Sequence, residues 1–122
     1  MIKVSQTKFG RGEGNCWSAC LASIFELPID EVPSFKGENW WLDTQRWVER
    51  HGYGFVEVVI EHPEGLELFG QSLWIASGKS PRGSFDHSVL YCGSTMIHDP
   101  HPDGTGLDGS PIRGSFFTKK LL

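Results

Sequence analysis

Asn15-Cys-Trp-Ser-Ala-Cys-Leu-Ala-Ser-Ile-Phe-Glu-Leu27 is the stretch on which the fold turns. Trp17, Cys20, Leu21, Ile24 and Phe25 recur at i, i+3, i+4 and i+7, the spacing of one apolar helix face. Asn15 is a good N-cap residue type. The spacing therefore predicts a helix from Asn15 or Cys16 to about Leu27. Pro28 and Pro33 then bracket a short turn over Ile29–Val32. Upstream, Lys8–Asn15 is a glycine-rich loop, and residues 2–5 read as a short strand or arm.

Downstream, a second helix fits Asn39 to His51. Trp40, Trp41, Thr44, Trp47, Val48 and His51 form its inner stripe, and Gly52 is a natural stop. Gly54–Ile60 reads as a strand, Pro63–Phe69 as a short helical turn and Leu73–Ala76 as a short apolar strand. Ser77–Ser84 is a loop. His87–Cys92 and Thr95–Asp99 are two short strands split by Gly93-Ser94. Pro100–Gly114 is a long irregular loop, and Ser115–Leu122 a final strand or tail. Helices come first and antiparallel strands follow, which is the α+β order, with the first helix packed on a small sheet.

The chain has 122 residues, the size of one domain spanning 1–122. Eleven Lys and Arg against fifteen Asp and Glu give a net charge of −4. A phosphate-tracking nucleic-acid binder carries the opposite balance, so no nucleic-acid partner is expected. No apolar run has the length of a membrane span, and the N-terminus has no signal-type segment. A cytoplasmic location is expected, with its three cysteines reduced. An odd count also forbids a closed disulfide framework within one chain.

Two segments carry candidate chemistry. Cys16 follows a glycine-rich loop and opens an amphipathic helix. The first N–H groups of a helix lack internal partners and its dipole is positive there, a setting that favours the nucleophilic thiolate. The bland alternative is a small buried hydrophobe, and that is how Cys20, one turn on, is read. In Asp86-His-Ser-Val-Leu-Tyr-Cys-Gly-Ser-Thr-Met-Ile-His-Asp-Pro100, a histidine begins one strand and an aspartate ends the next. A carboxylate that orients an imidazole and supports its charged form is the partner a general base needs. If His87 and Asp99 pair directly, Val89 faces Ile97 and Tyr91 faces Thr95. A two-residue Gly93-Ser94 turn instead throws His87 and Asp99 onto opposite faces. The pairing thus requires an odd loop or a bulge.

Together, Gln6, the Gly-Asn-Cys-Trp-Ser-Ala-Cys helix start, His87 and the His-Asp-Pro sequence resemble the papain-like cysteine peptidase superfamily. The nearest branch is the compact bacteriocin-leader peptidases and their small bacterial and phage-borne relatives. The resemblance spans about Gln6 to Pro100. It implies Cys16 as nucleophile, His87 as general base and acid, and Asp99 as the orienting residue. It also implies an oxyanion hole from Gln6 and the Cys16 backbone N–H, with Asn15 as an alternative donor. Gln6 stands ten residues before Cys16, a longer gap than the family's usual one, the extra residues being Phe9–Gly14. The activity implied is hydrolysis or acyl transfer at an amide, peptide or isopeptide bond through a thioester, with deamidation in the same reach.

Lys79, Arg82 and His101 sit on loops expected to border the cleft, as receivers for an anionic or carboxylate group of a peptide, protein or small amide substrate. No cofactor is implied. No metal is expected either: there is no CxxC, and His98-x-x-His101 is not a usual zinc spacing. Gly78-Lys-Ser80 is no phosphate loop, because the leading glycine is missing. The Trp40, Trp41 and Trp47 cluster reads as core, with one of the adjacent pair at the rim of the cleft or of a partner surface. The second function class is a non-catalytic binding module, an inhibitor or anti-defence factor on the same scaffold, which has no need of an activated Cys16.

Overall fold

The computed structural model describes residues 1–119 and 121, so the end of the predicted final strand, at 120 and 122, lies outside the described residues. Among the described residues, two α-helices, α1 (Cys16–Phe25) and α2 (Trp40–Arg50), precede five strands. These are β1 (Tyr53–Val59), β2 (Leu73–Lys79), β3 (Asp86–Cys92), β4 (Thr95–His98) and β5 (Arg113–Lys119). Short 3-10 helices cover Ile29–Glu31 and Pro63–Phe69. The sheet order is β1-β5-β2-β3-β4, and every pairing is antiparallel. The fold class is α+β. Among the described residues no helix is long and apolar enough to cross a membrane.

Helix α1 is more buried than a one-sided stripe predicts. Ser18 to Ser23 are all buried, not only the apolar positions. The cause is the N-terminal arm, which lies over the helix instead of joining the sheet. Ile2 N–H donates to Ser23 O at 3.0 Å and Val4 N–H to Ser23 Oγ at 3.0 Å. On another side, Ser18 Oγ donates to Pro33 O at 2.6 Å. The helix stops at Phe25 because Glu26 turns left-handed at φ 57° and Pro28 disfavours helical backbone at Leu27. Helix α2 buries Thr44, Trp47 and Val48, while Trp41 is exposed and Trp40 half-buried.

The core has two layers, one on each sheet face. Leu21, Trp47, Val48, Phe55, Ile75 and Leu90 meet between the helices and the sheet. Trp74, Ala76, Val89 and Leu66 meet on the far face. Each large side chain so buried contributes about 1.5–3 kcal/mol. Neighbours Ile75 and Trp74, and Leu90 and Val89, fall in different layers, so β2 and β3 are covered on both sides. The C-terminal segment is no loose tail. It enters the sheet as β5, between β1 and β2. Phe117 stacks on Phe55 at 5.6 Å and Phe116 on Trp74 at 5.4 Å, one ring in each layer.

The β3–β4 hairpin settles the register. Cys92 pairs with Thr95 and Tyr91 with Met96, so the turn is the two-residue Gly93-Ser94. Gly93 is needed there: φ is +58°, and a Cβ would run into the Gly70 carbonyl oxygen. Leu90 then pairs with His98, which makes Ile97 an extra residue, a bulge. The direct pairings of Val89 with Ile97 and Tyr91 with Thr95 are therefore not formed. The bulge restores the parity that the two-residue turn removes, and Asp99 reaches His87.

Candidate active site

Cys16 is the first residue of α1, half-buried and with a free thiol. Asn15 holds the N-cap position but its side chain does not cap the helix. Asn15 Oδ1 instead accepts from Thr7 N–H and Lys8 N–H, both at 2.9 Å, and Nδ2 donates to Thr7 Oγ1 at 3.0 Å. The residue before the thiol is thus a clamp on segment 7–8. The first-turn N–H groups of α1 keep no side-chain cap, which leaves their partial positive charge beside Cys16.

His87, near the start of β3, is 2% exposed. Its Nε2 lies 2.7 Å from Asp99 Oδ1. Asp99 also accepts from His101 N–H at 2.9 Å and from Gly106 N–H at 2.8 Å. Burial alone would raise the Asp99 pKa. The His87 hydrogen bond, the two backbone N–H groups and the His87 charge outweigh it and hold the carboxyl below its ordinary value. An ionised Asp99 only accepts, so Nε2 is the donor and Nδ1 is the imidazole atom left for another partner. For His87, burial lowers the pKa. The Asp99 hydrogen bond and the side-chain hydrogen bond and charge of Cys16 prevail and push it up to about 9. Cys16, His87 and Asp99 therefore form one interacting set. Cys20, one turn further along α1, is fully buried; burial, and then the charges of Cys16 and Asp99, push its thiol well above the ordinary value.

Gln6 is buried at the junction of these pieces. Its N–H donates to Pro100 O at 3.0 Å, next to Asp99, and two residues later Lys8 is held by Asn15. Gln6 Nε2 donates to Lys8 O at 2.9 Å, and Oε1 has no hydrogen-bond partner among the described residues. The glycine-rich insertion is tied down around it. Phe9 sits edge-on to His101 at 5.2 Å, and Arg11 donates to Ser84 O at 3.2 Å.

The three expected anion receivers divide. Lys79 belongs to β2 rather than a loop, and it pairs with Asp108 at 3.5 Å. Arg82 Nη1 donates to both carboxylate oxygens of Asp103, at 3.1 and 3.0 Å, and to Thr105 Oγ1 at 3.1 Å. Lys79 ties the end of β2, and Arg82 the loop before β3, to the loop after β4. Their partners come from segment 101–108, whose path no periodicity foretells. His101 remains beside the site: its ring centroid is 6.4 Å from that of His87, and its Nδ1 accepts from Asp103 N–H at 3.1 Å.

A cleft of about 430 Å³ opens at Cys16. Trp17, Phe35 and Trp40 give it aromatic walls, and Ser77, Ser88 and Ser115 a floor of short side chains. Glu57, Asp86 and Arg113 supply its charges. The rim position of Trp40 matches the expectation for one of the adjacent tryptophans. The serines and the charged trio were missed. They come from β1, β2, β3 and β5, and only the strand order gathers them. Among the described residues no three His, Cys, Asp or Glu side chains converge as ligands for a metal ion.

Compared with models of known protein families, with curated proteins and with solved structures, the chain gives no match.

Proposed function

We propose that the chain is a cysteine-dependent hydrolase or acyl transferase of papain-like type, acting on an amide, peptide or isopeptide bond. One observation carries this: a buried His87–Asp99 pair, 2.7 Å apart, interacts with a thiol at a helix N-terminus. A buried imidazolium held by an ionised carboxylate and facing a sulfur is the arrangement that activates a thiol.

The roles follow from the atoms. Asp99 fixes the ring through Nε2 and supports its positive charge. His87 holds the proton taken from Cys16 on Nδ1. The Cys16 sulfur attacks the carbonyl carbon, and the negative oxygen is received by the Cys16 backbone N–H and by the second N–H of Gln6 Nε2, the first being held by Lys8 O. His87 gives its proton to the leaving amine, the C–N bond breaks and a thioester remains. Water, or another nucleophile, then loses a proton to His87 and attacks the thioester, returning the Cys16 thiol. Asn15 serves by positioning segment 7–8.

The test is iodoacetamide alkylation of Cys16 between pH 6 and 7, followed by peptide mass spectrometry. Cys92 serves as the internal standard and His87→Ala as the variant. Loss of the imidazolium should slow Cys16 by about tenfold or more while leaving Cys92 unchanged. Equal rates in both proteins would falsify the catalytic role and leave the cleft as the site of a non-catalytic binding module.

A further inference from the structure

The charges of the cleft are arranged around one guanidinium. Arg113 Nε lies 3.3 Å from Glu57 Oε1, and Arg113 Nη2 lies 2.8 Å from Asp86 Oδ2. The topology makes this meeting possible. Arg113 opens β5, the strand between β1, which carries Glu57, and β2, whose last residue pairs with Asp86. One cation between two carboxylates leaves the cleft with a surplus negative charge. An anionic substrate group approaching Arg113 meets two carboxylates already beside that guanidinium. A cationic group meets the surplus directly.

The walls act in the same direction. Trp17 and Trp40 stand edge to face at 5.6 Å, and Trp17 is held by its own Nε1–H, which donates to Thr44 Oγ1 at 3.0 Å. Indole faces attract ammonium and guanidinium groups. The floor asks for little: Ser77 Oγ and Ser88 Oγ already bond each other at 2.8 Å. Lys79 and Arg82, the cations that would have favoured an acidic substrate, are tied to Asp108 and Asp103.

We propose that the substrate segment flanking the bond attacked by Cys16 carries a cationic side chain, of the lysine or arginine class. It seats between the Trp17–Trp40 wall and the carboxylates of Glu57 and Asp86. This assignment rests on Cys16 being the nucleophile. Glu57 and Asp86 then determine specificity.

The experiment uses three peptide amides of one sequence, differing only in a central lysine, norleucine or glutamate. Each is titrated at millimolar concentration for its ability to protect Cys16 from iodoacetamide, in wild type, Glu57→Gln and Asp86→Asn. The lysine peptide should half-protect at a concentration about fivefold or more below that of the norleucine peptide, with glutamate the weakest. Either variant should narrow the lysine-to-norleucine ratio; Glu57→Gln leaves the neighbourhood of His87 in the chain untouched. Equal protection by the lysine and norleucine peptides, with alkylation still dependent on His87, overturns the cationic specificity alone. Alkylation that ignores His87 overturns the nucleophile and this assignment with it.

Discussion

Asp99 and Asp103 lie four residues apart in one loop and make the same local bond. Each accepts from the backbone N–H two residues ahead: Asp99 from His101 at 2.9 Å, Asp103 from Thr105 at 3.0 Å. Each also faces one cationic side chain, His87 or Arg82. Both carboxyls are held below the ordinary value. For Asp103 the backbone N–H of Thr105 leads, and with the Thr105 hydroxyl and Arg82 it brings the group to about 2. What separates them is water. The Asp103 side chain is 35% exposed and that of Asp99 is 1% exposed. Solvent can replace every partner that Asp103 loses, and none that Asp99 loses. Identical turn chemistry thus yields a loop latch in one place and a charge support for an imidazole in the other.

The sharpest break of this comparison is Asp99→Ala set against Asp103→Ala. Removing the Asp99 carboxylate strands a buried imidazolium and two backbone N–H groups, those of His101 and Gly106. Loss of one partner from a buried, hydrogen-bonded charge pair costs about 3–5 kcal/mol. Urea unfolding should show a loss of that size for Asp99→Ala and a small fraction of it for Asp103→Ala. Equal losses would mean that burial does not distinguish the two sites.

The His87–Asp99 pair also predicts a pH dependence with a definite sign. The imidazole is protonated in both folded and unfolded chains below its ordinary value of 6.5, so its stabilisation is complete there. Between 6.5 and about 9 the unfolded chain sheds the proton while the folded chain keeps it. The imidazole's own contribution therefore falls as pH rises through that window, by about 1–3 kcal/mol. At the acid end the sign reverses. Asp99 contributes above its ordinary 3.8, and its contribution is lost as pH falls through its lowered folded value. Cys20, whose thiol is pushed above 9.0, adds its own loss only beyond the histidine window. In Cys16→Ala, where no thiol proton enters the balance, stability to urea between pH 6 and 8.5 should decline, and adding His87→Gln to that variant should make it nearly flat. A parallel decline in both proteins would assign the effect elsewhere.

The same contrast explains which features could be read from the chain. Helix α1 was legible because its apolar period is strong and Asn15 and Pro28 mark its limits. His87 and Asp99 were legible as candidates because two short strands split by Gly93-Ser94 lie side by side, although the tight turn alone sets them on opposite faces. The compensating bulge at Ile97 left no mark of its own in the sequence. The role of Asn15 was misjudged: its residue type suits a cap, but Thr7 and Lys8 N–H groups compete for the oxygen and win. Arg82 and Lys79 looked like free cations because their partners are fixed by the path of an irregular loop. Arg113, Glu57 and Asp86 carry no motif. Their meeting depends on β5 inserting between β1 and β2, a choice that local periodicity does not encode.

The smallest effect belongs to the outer latch. Arg82→Gln removes the bonds to Asp103 and Thr105 but leaves Asp99 with His87, His101 and Gly106. Exposed ion pairs contribute little to global stability, so the urea midpoint should stay close to that of wild type. The segment itself should loosen, because Arg82 is the side chain that ties it across to the loop before β3. Amide hydrogen exchange at Asp103, Gly104 and Thr105 should rise several-fold while exchange in β3 is unchanged. If β3 loosened as well, the latch would be supporting His87 through the loop, and the two carboxylates would form one unit rather than an inner and an outer site.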